Sequence, residues 1–213
     1  PRPVVANNDR PLLFGYAWGG GTPRRFYRGM LDEVRLYPRA LSAGEIAASA
    51  SAGGVGQFKP ACVAPPADLV AWLPGEGNAG DLASGLDGVM GTGVSFTEGR
   101  LGHAFQFTDT ADSHIQFPNV PAFRPANNQF TIEAWVKPDF SSLNQIDTLF
   151  EKRDACSASY SFIFSVLKAL PGYGTGVFGL GMQPQINFIA STNRIPDDGQ
   201  FHHVAVSYNG GRS

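Results

Sequence analysis

Carboxylates and imidazoles are the side chains of this sequence with the widest chemical range, and their spacing decides between the chemistries open to them. Glycoside hydrolysis needs two carboxyl groups facing one cleft. The nearest candidates are Glu133 and Asp139. Glu133 falls on the polar side of an alternating stretch, where a solvated or hydrogen-bonded carboxylate is the simpler reading. The four histidines are His103, His114, His202 and His203, and no nucleophile motif stands near them. No enzyme activity is expected. His202 and His203 are adjacent, and neighbouring side chains on a strand point to opposite faces, so the pair is poorly placed to ligate one ion. Calcium is better served, because it takes about six to eight oxygens from carboxylates and backbone carbonyls. The loop Gly75–Gly88 offers Glu76, Asn78, Asp81 and Asp87, with glycines that let carbonyls turn inward. The competing reading makes Asp81 and Asp87 turn formers that accept local backbone hydrogen bonds. Asp109–Ser113 is a second, weaker acidic loop.

A sugar site needs an exposed aromatic or a polar loop cluster. Tyr16, Trp18, Arg24, Arg25 and Tyr173 are conceivable contacts, whereas Trp72 and Trp135 read as sheet-packing residues. None of these spacings defines a ligand site. Cys62 and Cys156 fit neither a CxxC pattern nor a metal-ligand spacing, and one disulfide or two free thiols both remain open. The net charge is −2 and no basic run is present, so counterion-driven nucleic-acid binding has no footprint. No apolar run reaches the roughly 18–20 residues of a membrane-spanning helix.

The elements that must position these residues are short strands. The 26 glycines and 16 prolines lie between apolar runs, a pattern of many turns, and 16 phenylalanines supply core volume. Strands are expected at Leu12–Tyr16, Phe26–Tyr37, Leu69–Leu73, Ala104–Phe107, His114–Phe117, Phe130–Lys137, Thr148–Lys152, Tyr160–Leu167, Gly176–Met182, Gln185–Ser191 and Phe201–Tyr208. Residues 74–93 read as almost pure turn. Along Phe26–Tyr37, simple alternation puts Met30, Asp32, Val34 and Leu36 on one face and Leu31, Glu33, Arg35 and Tyr37 on the other, neither cleanly apolar. One helix is expected near Ala43–Ala50, opened by a capping box of Ser42 and Glu45. Residues 51–66 read as a Gly/Ala/Pro-rich linker. Asn209-Gly210 is a strong hairpin signal.

Three anchors, the third made of two stretches, carry a family resemblance. Gly29–Ile46, GMLDEVRLYPRALSAGEI, resembles the closing strand and exit helix of LamG-like jelly rolls of the concanavalin A-like lectin/glucanase superfamily. Val70–Asp81 resembles the opening of that family, a Trp strand followed by a G-E-G-N-A-x-D loop. Thr131–Val136 and Phe201–Tyr208 resemble its centre, T-I-E-A-W-V and H-H-V-A-V-x-Y. The chain departs from the family's F-D-G-x-x-D-Y pattern, with Thr108 where Asp usually stands.

The resemblance implies an all-β, two-sheet antiparallel jelly-roll sandwich with one short helix. It implies that residues 1–50 are the last strands and exit helix of one repeat, and that 67–213 are a second copy lacking its last strands. Residues 1–50 would then complete 67–213 as a circular permutant, since unfilled strand positions leave costly open edges. It brings Asp32 toward the acidic loop, so Asp32, Asp81 and Asp87 form the expected set for one structural Ca2+. It also implies a non-catalytic recognition or adhesion module of a large secreted or cell-surface protein, binding a glycan or an extracellular protein. The alternatives are a structural spacer repeat or an ancillary carbohydrate-binding domain of a carbohydrate-active enzyme.

Overall fold

The computed structural model describes residues 11–19, 22–52, 68–120, 123, 129–141, 145–153, 160–168, 172–182 and 189–210. The first part of the chain forms β1 (Leu12–Phe14), β2 (Ala17–Gly19), β3 (Thr22–Arg24), β4 (Arg28–Tyr37) and helix α1 (Ala43–Ala52). Next come β5 (Ala71–Leu73), β6 (Val89–Met90), β7 (Val94–Glu98), β8 (His103–Thr108), β9 (Ile115–Phe117) and β10 (Gln129–Pro138). The remainder holds β11 (Ile146–Arg153), β12 (Tyr160–Leu167), β13 (Val177–Met182), β14 (Ile189–Arg194) and β15 (His202–Asn209).

Two antiparallel sheets form the expected sandwich. A seven-stranded sheet runs β14-β13-β12-β11-β1-β9-β6, and a six-stranded sheet runs β15-β10-β4-β8-β7 with β5 beside β4. The early strands sit centrally in both layers. β1 lies between β11 and β9, with Leu12 opposite both Lys152 and Phe117. β4 lies between β10 and β8, with Leu31 opposite both Val136 and Phe105.

Aromatic side chains fill the space between the layers. Phe14, Phe150, Phe164 and Phe178 form a chain with ring centroids 4.8, 6.0 and 5.2 Å apart, and Phe130 stacks on Phe162 at 5.0 Å. Rings this close add directional attraction to the area they bury.

Several local features differ from the sequence expectation: β7, which pairs with β8, is not among the expected strands, and β14 runs on to Arg194, residues 185–188 of the expected Gln185–Ser191 lying outside the described residues. Beyond the expected strand Leu12–Tyr16, Ala17–Gly19 and Thr22–Arg24 pair as β2 and β3. The turn-rich stretch 74–93 ends in β6, which pairs with β9. In β4 the alternation breaks at a bulge. Asp32 is opposite Trp135 and Arg35 is opposite Glu133, so three steps on β4 match two on β10. Glu33 takes the extra position with φ 51°, a left-handed conformation in which a bulged residue resets the pleat. Leu31, Val34 and Leu36 therefore enter the core, while Asp32, Glu33, Arg35 and Tyr37 share the outer face.

Helix α1 starts as the sequence indicates. Ser42 N–H donates to Glu45 Oε2 at 2.8 Å, and Glu45 N–H donates to Ser42 Oγ at 3.3 Å. The approach to the helix is tied to the sheet. Leu41 N–H donates to Thr131 Oγ1 at 2.8 Å, and Ser207 Oγ donates to the Leu41 carbonyl at 3.1 Å. Tyr37, Leu41 and Leu69 pack with Ile46 and Trp72 beneath it.

Candidate binding cleft

The outer face of the six-stranded sheet has a covered half and an open half. Under α1 the buried side chains are polar. Arg35 sits between two carboxylates, Nη2 2.7 Å from Glu33 Oε2 and Nη1 3.4 Å from Glu133 Oε1. Glu133 Oε1 also accepts from Ser49 Oγ of α1 at 2.6 Å and from the Tyr37 hydroxyl at 3.3 Å. The Trp72 indole N–H donates to Glu33 Oε2 at 2.8 Å, and the Arg35 guanidinium lies 5.1 Å from the Trp72 ring centre. His203 Nε2 stands 3.6 Å from Glu133 Oε2, too long for a full hydrogen bond.

These partners decide the charge states. Burial works to raise Glu133, but His203, Ser49 and the Arg35 charge outweigh it and hold the group below the usual carboxylate range. For Glu33 burial wins over Arg35 and Trp72, and the group is raised. Glu133 is wholly buried. The acid that sequence spacing singled out thus serves to fix a helix to a sheet, and it faces no open groove.

Beyond Trp135 the same face opens into a cleft of about 540 Å3. Its floor comes from three neighbouring strands, with Met30 of β4 registered between Gln106 of β8 and Lys137 of β10. Pro138, Phe140 and Ser141 follow β10 and wall one side. At the rim Arg28 Nε pairs with Asp139 Oδ2 at 2.6 Å, and Ser141 N–H donates to Asp139 Oδ1 at 2.9 Å. Burial acts to raise Asp139, but Ser141 and Arg28 outweigh it, so the carboxylate stays ionised. The cleft therefore combines an ammonium, a primary amide, a charge pair and a half-buried aromatic ring.

The residues expected to bind calcium are differently engaged. Asp81 Oδ1 accepts from the backbone N–H of Trp72 at 2.8 Å and Ala83 at 2.9 Å. Its Oδ2 accepts from the Ser84 N–H at 3.1 Å and from the Ser84 hydroxyl. Asp87 Oδ1 accepts from Asp81 N–H at 3.1 Å. Asp32 lies under the β7–β8 turn, Oδ2 accepting from Arg100 N–H at 2.7 Å and Leu101 N–H at 3.1 Å, while Oδ1 is buried without a hydrogen-bond partner. Burial pushes the Asp32 carboxyl up to about 7, against the pull of those amides. Carboxylates that accept from neighbouring N–H and O–H groups in this way are the turn formers of the competing reading. Among the described residues, no group of three or more His, Cys, Asp or Glu could hold a metal ion.

The other sequence candidates separate. Tyr16 is buried and meets His114 edge-on at 4.7 Å. Tyr173 is exposed, and Arg25 is exposed with φ 56°. Trp135 packs between His203, at 5.3 Å, and the Arg100 guanidinium, at 5.0 Å. In the weaker acidic loop Asp109 has φ 59°, and Ser113 Oγ accepts from Thr108 N–H at 2.8 Å. His202 turns to Asp198, 2.9 Å away, while His203 faces Glu133, so the adjacent rings separate as strand geometry requires. Cys62, Cys156 and the side chains of Trp18 and Arg24 lie outside the described residues. The cleft residues Met30, Gln106 and Lys137 were missed because they come from three strands distant in sequence, and only the register brings them together.

No described helix is long and apolar enough to cross a membrane. Residues 109–213 match the laminin G family model described as the concanavalin A-like lectin/glucanases superfamily. No curated protein and no solved structure matches the chain. The matched segment contributes β9 to β15, and its sheets are completed by β1, β4, β5 and β6 to β8 from the preceding residues. The family match over residues 109–213 and the two-sheet antiparallel architecture agree with each other.

Proposed function

We propose that this domain is a non-catalytic recognition module that binds a glycan in the cleft formed by Met30, Gln106, Lys137 and Phe140, in a protein working outside the cell or at its surface. The observation that carries the reading is the division of one sheet face. Its buried acids are tied up beneath α1, while Gln106 and Lys137 line an open cleft beside Phe140 and the Arg28–Asp139 pair. A sugar presents hydroxyls that match amide, ammonium and carboxylate partners, and an apolar ring face that packs on an aromatic ring. The pairing of β4 with β8 and β10 supports reading residues 1–50 as closing strands set into the sandwich of 67–213.

The test is a glycan array followed by titration calorimetry on any hit. Binding that weakens at least ~10-fold in both Gln106→Ala and Lys137→Ala, each removing about one charged or neutral hydrogen bond, is the expected result. Uniform silence on the array, or binding indifferent to both substitutions, overturns the reading. Silence would favour a structural spacer instead.

A further inference from the structure

Four charged side chains line the open cleft, and they are not evenly matched. Arg28 and Asp139 satisfy each other at 2.6 Å, and Ser141 completes the surroundings of Asp139. Asp197 is exposed, so salt screens it strongly. Lys137 is half-buried on the floor, and no carboxylate among the described residues pairs with it. Gln106 is half-buried as well, and its amide has no hydrogen-bond partner among the described residues. An ammonium and an amide in this state keep their hydrogen-bonding capacity for whatever enters the cleft. The register fixes how far apart they stand. Lys137, Met30 and Gln106 are level on β10, β4 and β8, so the two polar residues are separated by two strand spacings, roughly 10 Å. Half-buried Met30 fills the interval with apolar surface.

Resting on the glycan reading of the cleft, we propose that its ligand is an acidic glycan, with one uronate carboxylate on the Lys137 ammonium, the next sugar ring over Met30, and hydroxyls of that ring on the Gln106 amide. Two linked rings, one acidic and one neutral, span the distance between the polar residues. An ammonium binds any anion as a point charge, so a sulfate ester can make the same contact. The two acids of the cleft separate these sources. Asp139 stays ionised at the rim and Asp197 lines the same space. A densely sulfated chain sets further negative charge against both, and like charges across an interface are costly. A single carboxylate per two rings meets Lys137 alone.

Titration calorimetry on the full chain tests this with a panel of unsulfated oligosaccharides in which glucuronate or galacturonate alternates with a neutral sugar. Each is measured beside its methyl ester, which removes the charge and keeps the rings and hydroxyls. The acid is expected to bind at least ~10-fold tighter than its ester, about one charge-assisted hydrogen bond, with a preference that shrinks as salt rises. Lys137→Ala should bring the acid down to the affinity of the ester, and Lys137→Arg should keep the preference. Gln106→Ala should weaken acid and ester alike, and thermal midpoints check that all three variants fold. Acid and ester bound equally, or neutral sugars bound in preference, overturns the acidic class and leaves the glycan cleft standing. Silence toward acidic and neutral sugars together overturns both. A polysulfated oligosaccharide bound more tightly than every uronate overturns the carboxylate as the source of the charge.

Discussion

At the scale of single residues, the sheet between α1 and β10 shows how a charged sequence motif becomes a structural one. Arg35 is 7 % exposed at its side chain, and both carboxylates beside it are buried. Removing one member of such a group leaves the others desolvated without compensation, which typically costs about 3–5 kcal/mol. Arg35→Met is expected to lower stability by that order in denaturant titration. The triple substitution Glu33→Gln, Arg35→Met, Glu133→Gln should recover a substantial part, because the charges go together. A triple variant no more stable than the single one would mean that Arg35 acts through its packing on Trp72.

A second buried acid, Asp147, lies 3.0 Å from Lys168, and burial pushes it up from 3.8 to about 6 although Lys168 pulls the other way. Between those values the folded chain holds a proton that the unfolded chain has lost, so stability falls as pH rises through this window. The stability difference between the parent and Asp147→Asn should therefore fall from pH 3.8 to about 6 and level off above it. A flat difference across that range would show that Asp147 titrates alike in both states.

At the scale of elements, what the sequence shows depends on how local its cause is. The capping box at Ser42 and Glu45 involves residues three apart, and it forms as read. The clean alternation of 130–137 likewise becomes β10, because its period is independent of what lies beside it. The β4 bulge was not legible. Two charged residues in a row, Asp32 and Glu33, marked both faces as impure, but only pairing with β10 fixes where the extra residue goes. β6 and β2–β3 are two to three residues each, too short for a periodic signal. The acidic loop shows the same limit. Composition places Asp81 and Asp87 in one loop, whereas the direction of the nearby N–H groups decides what the carboxylates accept. The cleft is the extreme case, since Met30, Gln106 and Lys137 share no sequence neighbourhood and meet only through two registers.

At the scale of the whole molecule, the arrangement of strands makes β1 and β4 integral to the two layers. β1 is hydrogen-bonded on each side, to β11 and β9, and β4 is bonded to β10 on one side and to β8 and β5 on the other. Taking both strands away opens four new edges in the middle of the two sheets and removes Leu12, Phe14, Leu31, Val34 and Leu36 from one shared core. Each of these side chains contributes roughly 1.5–3 kcal/mol by burial, and a domain's net stability is only about 5–15 kcal/mol. A chain beginning at residue 67 is therefore expected to lose its cooperative thermal transition, with near-ultraviolet circular dichroism collapsed toward that of the unfolded protein. Limited proteolysis of the intact chain gives the complementary result. Cleavage between α1 and β5 should leave the two pieces associated under native conditions, because β4 remains held by three strands. If the nicked pieces separated while 67–213 kept its protease resistance, the shared core would not be what holds the sandwich together.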